Sequence, residues 1–224
     1  MKDKFYKFMK NKDFKGSKEN QHDYISTYYG PEFENLRDHE LRIVEIGVRD
    51  GSDLALLCDW FTKSIITGID INPVGYPCVK FCNPPVCGCG KYYKNVKEFE
   101  NFSFIKGNAY SDRIRNMFDD NSIDYLIDDG SHLISDQLKC IEIYYPKIKT
   151  GGKIIIEDVG WSQRQGSHYR DEIGKIADND EYCFYCVESI KEAAIKYNMD
   201  LKIIDNRKQN LNFSVIIELT KGQK

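Results

Sequence analysis

Leu41-Arg42-Ile43-Val44-Glu45-Ile46-Gly47, continuing through Val48-Arg49-Asp50-Gly51-Ser52, is the stretch whose reading sets the architecture of this chain. Its first seven residues form a short apolar run rich in β-branched side chains, the composition of a buried strand. Ser52 to Thr62 then carries apolar residues at helical spacing, Leu54, Leu57, Trp60 and Phe61, and Ile65-Ile66-Thr67-Gly68-Ile69-Asp70 is a second strand. A strand, a helix and a strand in such close succession predict one right-handed crossover of a parallel sheet.

The same rhythm continues along the chain. Strands are predicted over 102–105, 123–127 and 153–156, with helices over 112–117 and 135–145 between them and another over 187–197. Such alternation predicts a parallel sheet covered on both faces. Two further strands, 201–204 and 213–219, are separated by a segment too short for a helical crossover, so they form an antiparallel hairpin. The expected fold is α/β: a doubly wound, mainly parallel seven-stranded sheet with one antiparallel strand near the C-terminus. Residues 1–40 are polar and aromatic and suggest a lead-in or flap. Residues 73–93 break the rhythm and hold four of the eight cysteines, which marks an insert. With 26.1 kDa and 41% hydrophobic residues, the chain can build one substantial core, so a single domain over 1–224 is expected.

Charge narrows the function. A formal charge of -3 and a pI near 5.9 do not favour polyanions, and no basic stripe with interleaved aromatics lies beyond the extreme N-terminus, so nucleic acid is not the expected partner. The longest apolar runs fall well short of the ~18 residues of a membrane span. The lysine-rich start lacks the apolar centre of a secretory signal, and the cysteines then read as thiols of a reducing, cytoplasmic compartment. A homo-oligomer is compatible with these properties.

Two acidic signatures carry the chemistry. Ile127-Asp128-Asp129-Gly130-Ser131-His132 and Ile154-Ile155-Ile156-Glu157-Asp158 each close an apolar strand. If those strands are neighbours, Asp129, Glu157 and Asp158 could converge on one hard cation with His132 beside it as a base. The bland readings are a polar turn and a helix start. Gly47 and Gly51, after the first strand, permit a tight turn and close approach of backbone to a ligand. A dinucleotide fingerprint would need a third glycine and one where Arg49 stands, which disfavours nicotinamide. Asp70, ending the second strand, is placed to accept hydrogen bonds from ribose hydroxyls; as a plain cap it would need no ligand.

Glu45-Ile46-Gly47-Val48 with Gly51, Gly68-Ile69-Asp70-Ile71-Asn72-Pro73, Gly107-Asn108, Asp128-Asp129-Gly130-Ser131-His132 with Gln137, and Gly151-Gly152 with Ile156-Glu157-Asp158 together resemble class I S-adenosylmethionine-dependent methyltransferases with a Rossmann-like fold. The closer likeness is to the metal-dependent macrolide sugar O-methyltransferases of the demethylmacrocin type. Lys15-Gly16-Ser17-Lys18, followed by His22, Tyr24 and Tyr28, resembles the lead-in of that group. The resemblance covers about 15 to 160. It implies that Glu45, Gly47 and Gly51 line the methionine and ribose part of S-adenosylmethionine, that Asp70 holds the ribose hydroxyls, that Asn108 and Ala109 flank the adenine, and that Asp128 lies near the methionine moiety. It also implies magnesium, or manganese, on Asp129, Glu157 and Asp158, and His132 as catalytic base, with Asp129 sharing in the chemistry. Ser17, Glu19, Arg49 and Asp53 depart from the pattern, and the cysteine-rich insert has no counterpart in it.

The implied reaction has a physical logic. A sulfonium methyl is already electrophilic, so the protein must align it with an oxygen and remove that oxygen's proton. Sugar hydroxyls are very weak acids, and a divalent cation would stabilise the developing alkoxide. An imidazole, with an unperturbed pKa of about 6.5, can take the proton near neutrality. The expected acceptor is a sugar, a nucleotide sugar or a glycan. A catechol-like or other small diol is the alternative acceptor, and an inactive S-adenosylmethionine-binding domain with a structural or regulatory role the alternative class. Trp161, Gln163, Arg164, His168, Tyr169 and Arg170, with His22 and Tyr24 upstream, are candidate sugar contacts. Cys78, Cys82, Cys87 and Cys89 have the number of thiolates that a tetrahedral structural zinc needs, with irregular spacing; reduced surface cysteines are the other reading.

Overall fold

The computed structural model describes residues 4–12, 14, 18, 23–73, 95–160, 179–206 and 215–222. Two compact units divide the chain, 1–108 and 109–224. The strands make up a seven-stranded mixed sheet, the antiparallel strand lying near the C-terminus as the sequence predicts.

In the first unit three strands run parallel in the order β3-β2-β1, with β1 at Arg42–Ile46, β2 at Ile65–Asp70 and β3 at Phe102–Lys106. Helix α1 (Lys4–Asn11) buries Phe5, Tyr6 and Met9. A π-helical turn, Ile25–Tyr29, runs directly into the short helix α2 (Gly30–Phe33), and helix α3 (Ser52–Trp60) follows β1. Trp60 is the centre of this packing. Phe5 meets its ring edge-on at 5.1 Å, Arg37 stacks over it at 4.8 Å, and its indole N–H donates to the Phe33 carbonyl at 3.2 Å. Among the described residues of 1–40, Phe5, Tyr6, Met9, Tyr24, Ile25, Tyr28, Tyr29 and Phe33 are buried. Burying aromatic rings of this size contributes roughly 1.5 to 3 kcal/mol each.

The second unit orders its strands β4-β5-β7-β6, with β4 at Ile123–Asp128, β5 at Ile148–Ile156, β6 at Met199–Asp205 and β7 at Val215–Lys221. Helices α4 (Asp112–Arg115), α5 (Ile134–Tyr144) and α6 (Asn179–Lys196) complete it. β4 and β5 are parallel, while β7 is antiparallel to both β5 and β6. The last strand in sequence is therefore interior and β6 forms the edge. Composition explains the order: β7 is buried along nearly all its length, whereas β6 buries only Met199 and is otherwise exposed or half-exposed. β5 begins earlier than its apolar run suggests, because the register with β4 shifts between Ile123 and Tyr125 and Gly151 takes a positive φ of 79°. At the far end Lys221 is nearly buried. Its ammonium donates to the carbonyls of Ile148 (2.7 Å) and Tyr145 (3.3 Å) and to Asn121 Oδ1 (2.9 Å), which satisfies a charge that burial would otherwise penalise. Among the described residues no helix is long and apolar enough to cross a membrane.

Candidate functional site

In the first unit the turn after β1 is shaped by backbone. Gly47 (φ 86°), Arg49 (φ 52°) and Gly51 (φ 81°) all lie in the left-handed region, and Gly51 starts α3. Glycine adopts that conformation freely, whereas Arg49 does so at a cost of roughly 1 to 3 kcal/mol. Something must hold it there. Asp70, at the end of β2, accepts the Arg49 backbone N–H on Oδ2 at 3.0 Å and the Asn72 N–H on Oδ1 at 2.7 Å. A carboxylate has about four lone-pair positions, so each oxygen keeps capacity for a ribose hydroxyl. Glu45, fully buried in β1, forms an ion pair with the equally buried Lys18 at 3.2 Å, and Lys18 also lies over the Tyr29 ring at 5.9 Å. A buried carboxylate without a cation would be costly, which gives the lysine of the lead-in motif a definite task.

In the second unit the two acidic loops leave the same end of neighbouring strands. Asp128 pairs with Ile156 in register, and the Glu157 N–H donates to the Asp128 carbonyl at 3.0 Å. His132 Nε2 lies 3.9 Å from Asp129 Oδ1 and 3.9 Å from Asp158 Oδ2, and the ligating atoms of all three residues fall within 4.8 Å of one another. Such separations are too long for direct hydrogen bonds. Two carboxylates this near one another can share one divalent cation, with the imidazole close beside it. His132 (φ 60°) and Asp158 (φ 54°) both hold left-handed backbone that is unusual for their types. Strain of this kind persists only where surrounding contacts over-determine it.

Those contacts are visible. Asp128 is buried, and its Oδ1 accepts the Tyr110 hydroxyl at 2.8 Å and the Gly130 N–H at 3.2 Å. Burial raises its pKa to about 6, against the lowering effect of the Tyr110 hydrogen bond and the nearby His132. Burial, and then the charge of Asp128, push the Tyr110 hydroxyl and the Cys140 thiol upward, so both remain protonated donors. On the second loop, the Gln137 amide of α5 donates to the Glu157 carbonyl at 3.2 Å, the Val159 N–H donates to the Val215 carbonyl at 3.1 Å, and Gly160 packs against Cys183 so closely that a Cβ would lie 2.6 Å from Cys183 Cα.

The sequence-derived residues divide accordingly. The expected metal trio is Asp129, Glu157 and Asp158; the residues that come together are Asp129, His132 and Asp158. Glu157 is buried beside them in sequence, but its carboxylate is outside the converging group. Ala109 is buried, with its carbonyl accepting the Tyr144 hydroxyl at 2.9 Å, and Asn108 is exposed. Tyr24 is buried at the start of the π-helical turn. His22, Trp161, Gln163, Arg164, His168, Tyr169 and Arg170, and Cys78, Cys82, Cys87 and Cys89, fall outside the described residues. Lys18 and Tyr110 lie outside the sites the sequence predicts. Lys18 was visible only as part of a lead-in motif, and Tyr110 carried no signal beyond its place two residues after Asn108.

Neither a protein-family model nor a curated protein sequence matches the chain. Solved structures do. The MycE methyltransferase of the mycinamycin biosynthetic pathway, in complex with Mg and SAH, superposes with a TM-score of 0.67 at 19% identity over 100% of this chain and 54% of that one. The MycE complex that also holds mycinamycin VI gives 0.60 at 21% identity over 89% and 50%. An SAM-dependent methyltransferase from Aquifex aeolicus gives 0.54 at 15% identity over 96% and 97% of the two chains. This chain spans about half the length of the MycE chains it matches. The sheet order, the interior antiparallel strand and these superpositions establish that the chain has the fold of the class I S-adenosylmethionine-dependent methyltransferases.

Proposed function

We propose that the protein transfers a methyl group from S-adenosylmethionine to a hydroxyl of a sugar, free, nucleotide-linked or within a glycan, with help from a divalent cation. The observation that carries this reading is the convergence of Asp129, His132 and Asp158 at the ends of β4 and β5. Two carboxylates supply the oxygen donors that Mg²⁺ and Mn²⁺ prefer, and the donor chemistry therefore fits the cation. Asp129 and Asp158 would hold it, with Glu157 kept as the third proposed ligand. A cation bound there supplies Lewis acidity toward a hydroxyl group.

His132 takes the hydroxyl proton at Nε2, the ring atom that faces both carboxylates. General-base help of this kind contributes typically ~10² to 10⁴ in rate. In the first unit, Asp70 binds the ribose diol, its carboxylate already oriented by two backbone N–H groups, and Glu45 meets the cationic methionine end of the cofactor while Lys18 balances its charge. Asp128 takes the place proposed for it near the methionine moiety. That MycE, which shares this fold, has been captured with Mg, SAH and mycinamycin VI is consistent with a metal beside the cofactor here.

Transfer of labelled methyl from S-adenosylmethionine to a panel of monosaccharides, nucleotide sugars and catechols, with Mg²⁺ or Mn²⁺ and with EDTA, tests the proposal. Methylated sugar that vanishes with EDTA is the expected result. Methylation of catechols alone would move the acceptor class, and cofactor binding without transfer to any hydroxyl would reduce the protein to an S-adenosylmethionine-binding domain.

A further inference from the structure

We infer that Tyr110 is a positioning residue for the metal and base loop, a role that rests on the proposed cation site and extends it to a residue outside the acidic motifs. Tyr110 follows β3 in the chain, yet its hydroxyl joins two points of the loop after β4. It donates to Asp128 Oδ1 at 2.8 Å and accepts the Ser131 N–H at 3.4 Å. The same carboxylate oxygen takes the Gly130 N–H at 3.2 Å. Ser131 in turn donates its hydroxyl to Asp136 Oδ2 at 2.6 Å and accepts the Leu133 N–H at 3.3 Å. Three backbone N–H groups of the loop, at 130, 131 and 133, are thereby fixed by side chains. Asp129 and His132 are carried between those fixed points, and His132 is held at a φ of 60° that a free loop would leave.

Tyr110 is the link in this chain of bonds that comes from another segment. Asp136 lies on the helix that continues the loop itself, whereas Tyr110 ties the loop to the end of a different connection. Groups that orient ligand-bearing residues from behind typically alter metal affinity 10- to 100-fold when removed.

The experiment is Mn²⁺ binding to the full chain, followed by electron paramagnetic resonance without any turnover, for wild type, Tyr110→Phe and Thr67→Val. Thr67 is the control: its buried hydroxyl bonds the Ser103 hydroxyl at 2.8 Å in the first unit. The Mn²⁺ dissociation constant should rise about tenfold in Tyr110→Phe and stay within about twofold in Thr67→Val. An unchanged constant in Tyr110→Phe overturns the inference. Equal losses in both variants overturn it as well, because they would report general loosening. Wild type that binds no Mn²⁺ sinks the cation site, and this inference with it. Amide hydrogen exchange on wild type needs no variant: Gly130 and Ser131 should be protected, and rapid exchange at both positions would refute the clamp.

Discussion

The turn after β1 and the loops after β4 and β5 stand at strand ends of the same architectural type, yet they are built by opposite means. The first shapes itself with backbone: Gly47, Arg49 and Gly51 at positive φ, and Asp70 taking two backbone N–H groups. The second is built from side chains, with a buried carboxylate, a tyrosine, a serine and a glutamine holding Asp129, His132 and Asp158 in place. A backbone-built site loses affinity gradually when a side chain changes. A side-chain network fails more sharply, since each removal leaves a buried partner unsatisfied.

The strongest way to break that contrast is His132→Ala. Turnover should fall by ~10² to 10⁴ while S-adenosylhomocysteine affinity, measured by calorimetry, stays near wild type. Near-normal methylation by this variant would remove His132 from the chemistry. Asp128 offers the next largest effect. Its carboxyl titrates near 6 when folded against 3.8 for the free group, so the folded state favours the protonated form. The stability this confers is fully present below about pH 4 and is lost as pH rises through about 6, a swing of about 3 kcal/mol. In metal-free buffer, denaturant unfolding of wild type should therefore decline across that window relative to Asp128→Asn; parallel profiles would contradict the burial argument.

Gly160→Ala sharpens the comparison from the packing side. A methyl group there would meet Cys183 and sit on a φ of 78°, for a loss of about 2 kcal/mol and a Tm drop on the order of 5 °C. An unaltered Tm would show that α6 does not brace the Asp158 loop. The smallest effect belongs to the backbone-built turn. Asp70→Ala should weaken S-adenosylhomocysteine binding about tenfold and leave Mn²⁺ affinity unchanged. Loss of Mn²⁺ affinity instead would mean that the two regions are not independent.

Legibility in the sequence differed between the same regions. Strand ends are marked by apolar runs that stop, so Asp70, Asp129, His132 and Asp158 could be placed at the mouth of a sheet from pattern alone. Glu157 shared that pattern, but one residue along a loop changes where a carboxylate points, and only Asp158 joins the group. Lys18 and Tyr110 act through partners 27 and 18 positions away, and nothing local encodes such pairings.

The sequence by itself determined the alternation of strands and helices, the reversed strand near the end and the residue types at the strand termini, because periodicity and chain-length limits act locally. Tertiary structure alone decided that β7 lies inside β6, that Phe5, Tyr24 and Phe33 of the first 40 residues are buried, and which carboxylates face His132. Those outcomes depend on how much apolar surface each element must bury and on hydrogen bonds between distant segments, quantities that exist only once the chain has folded.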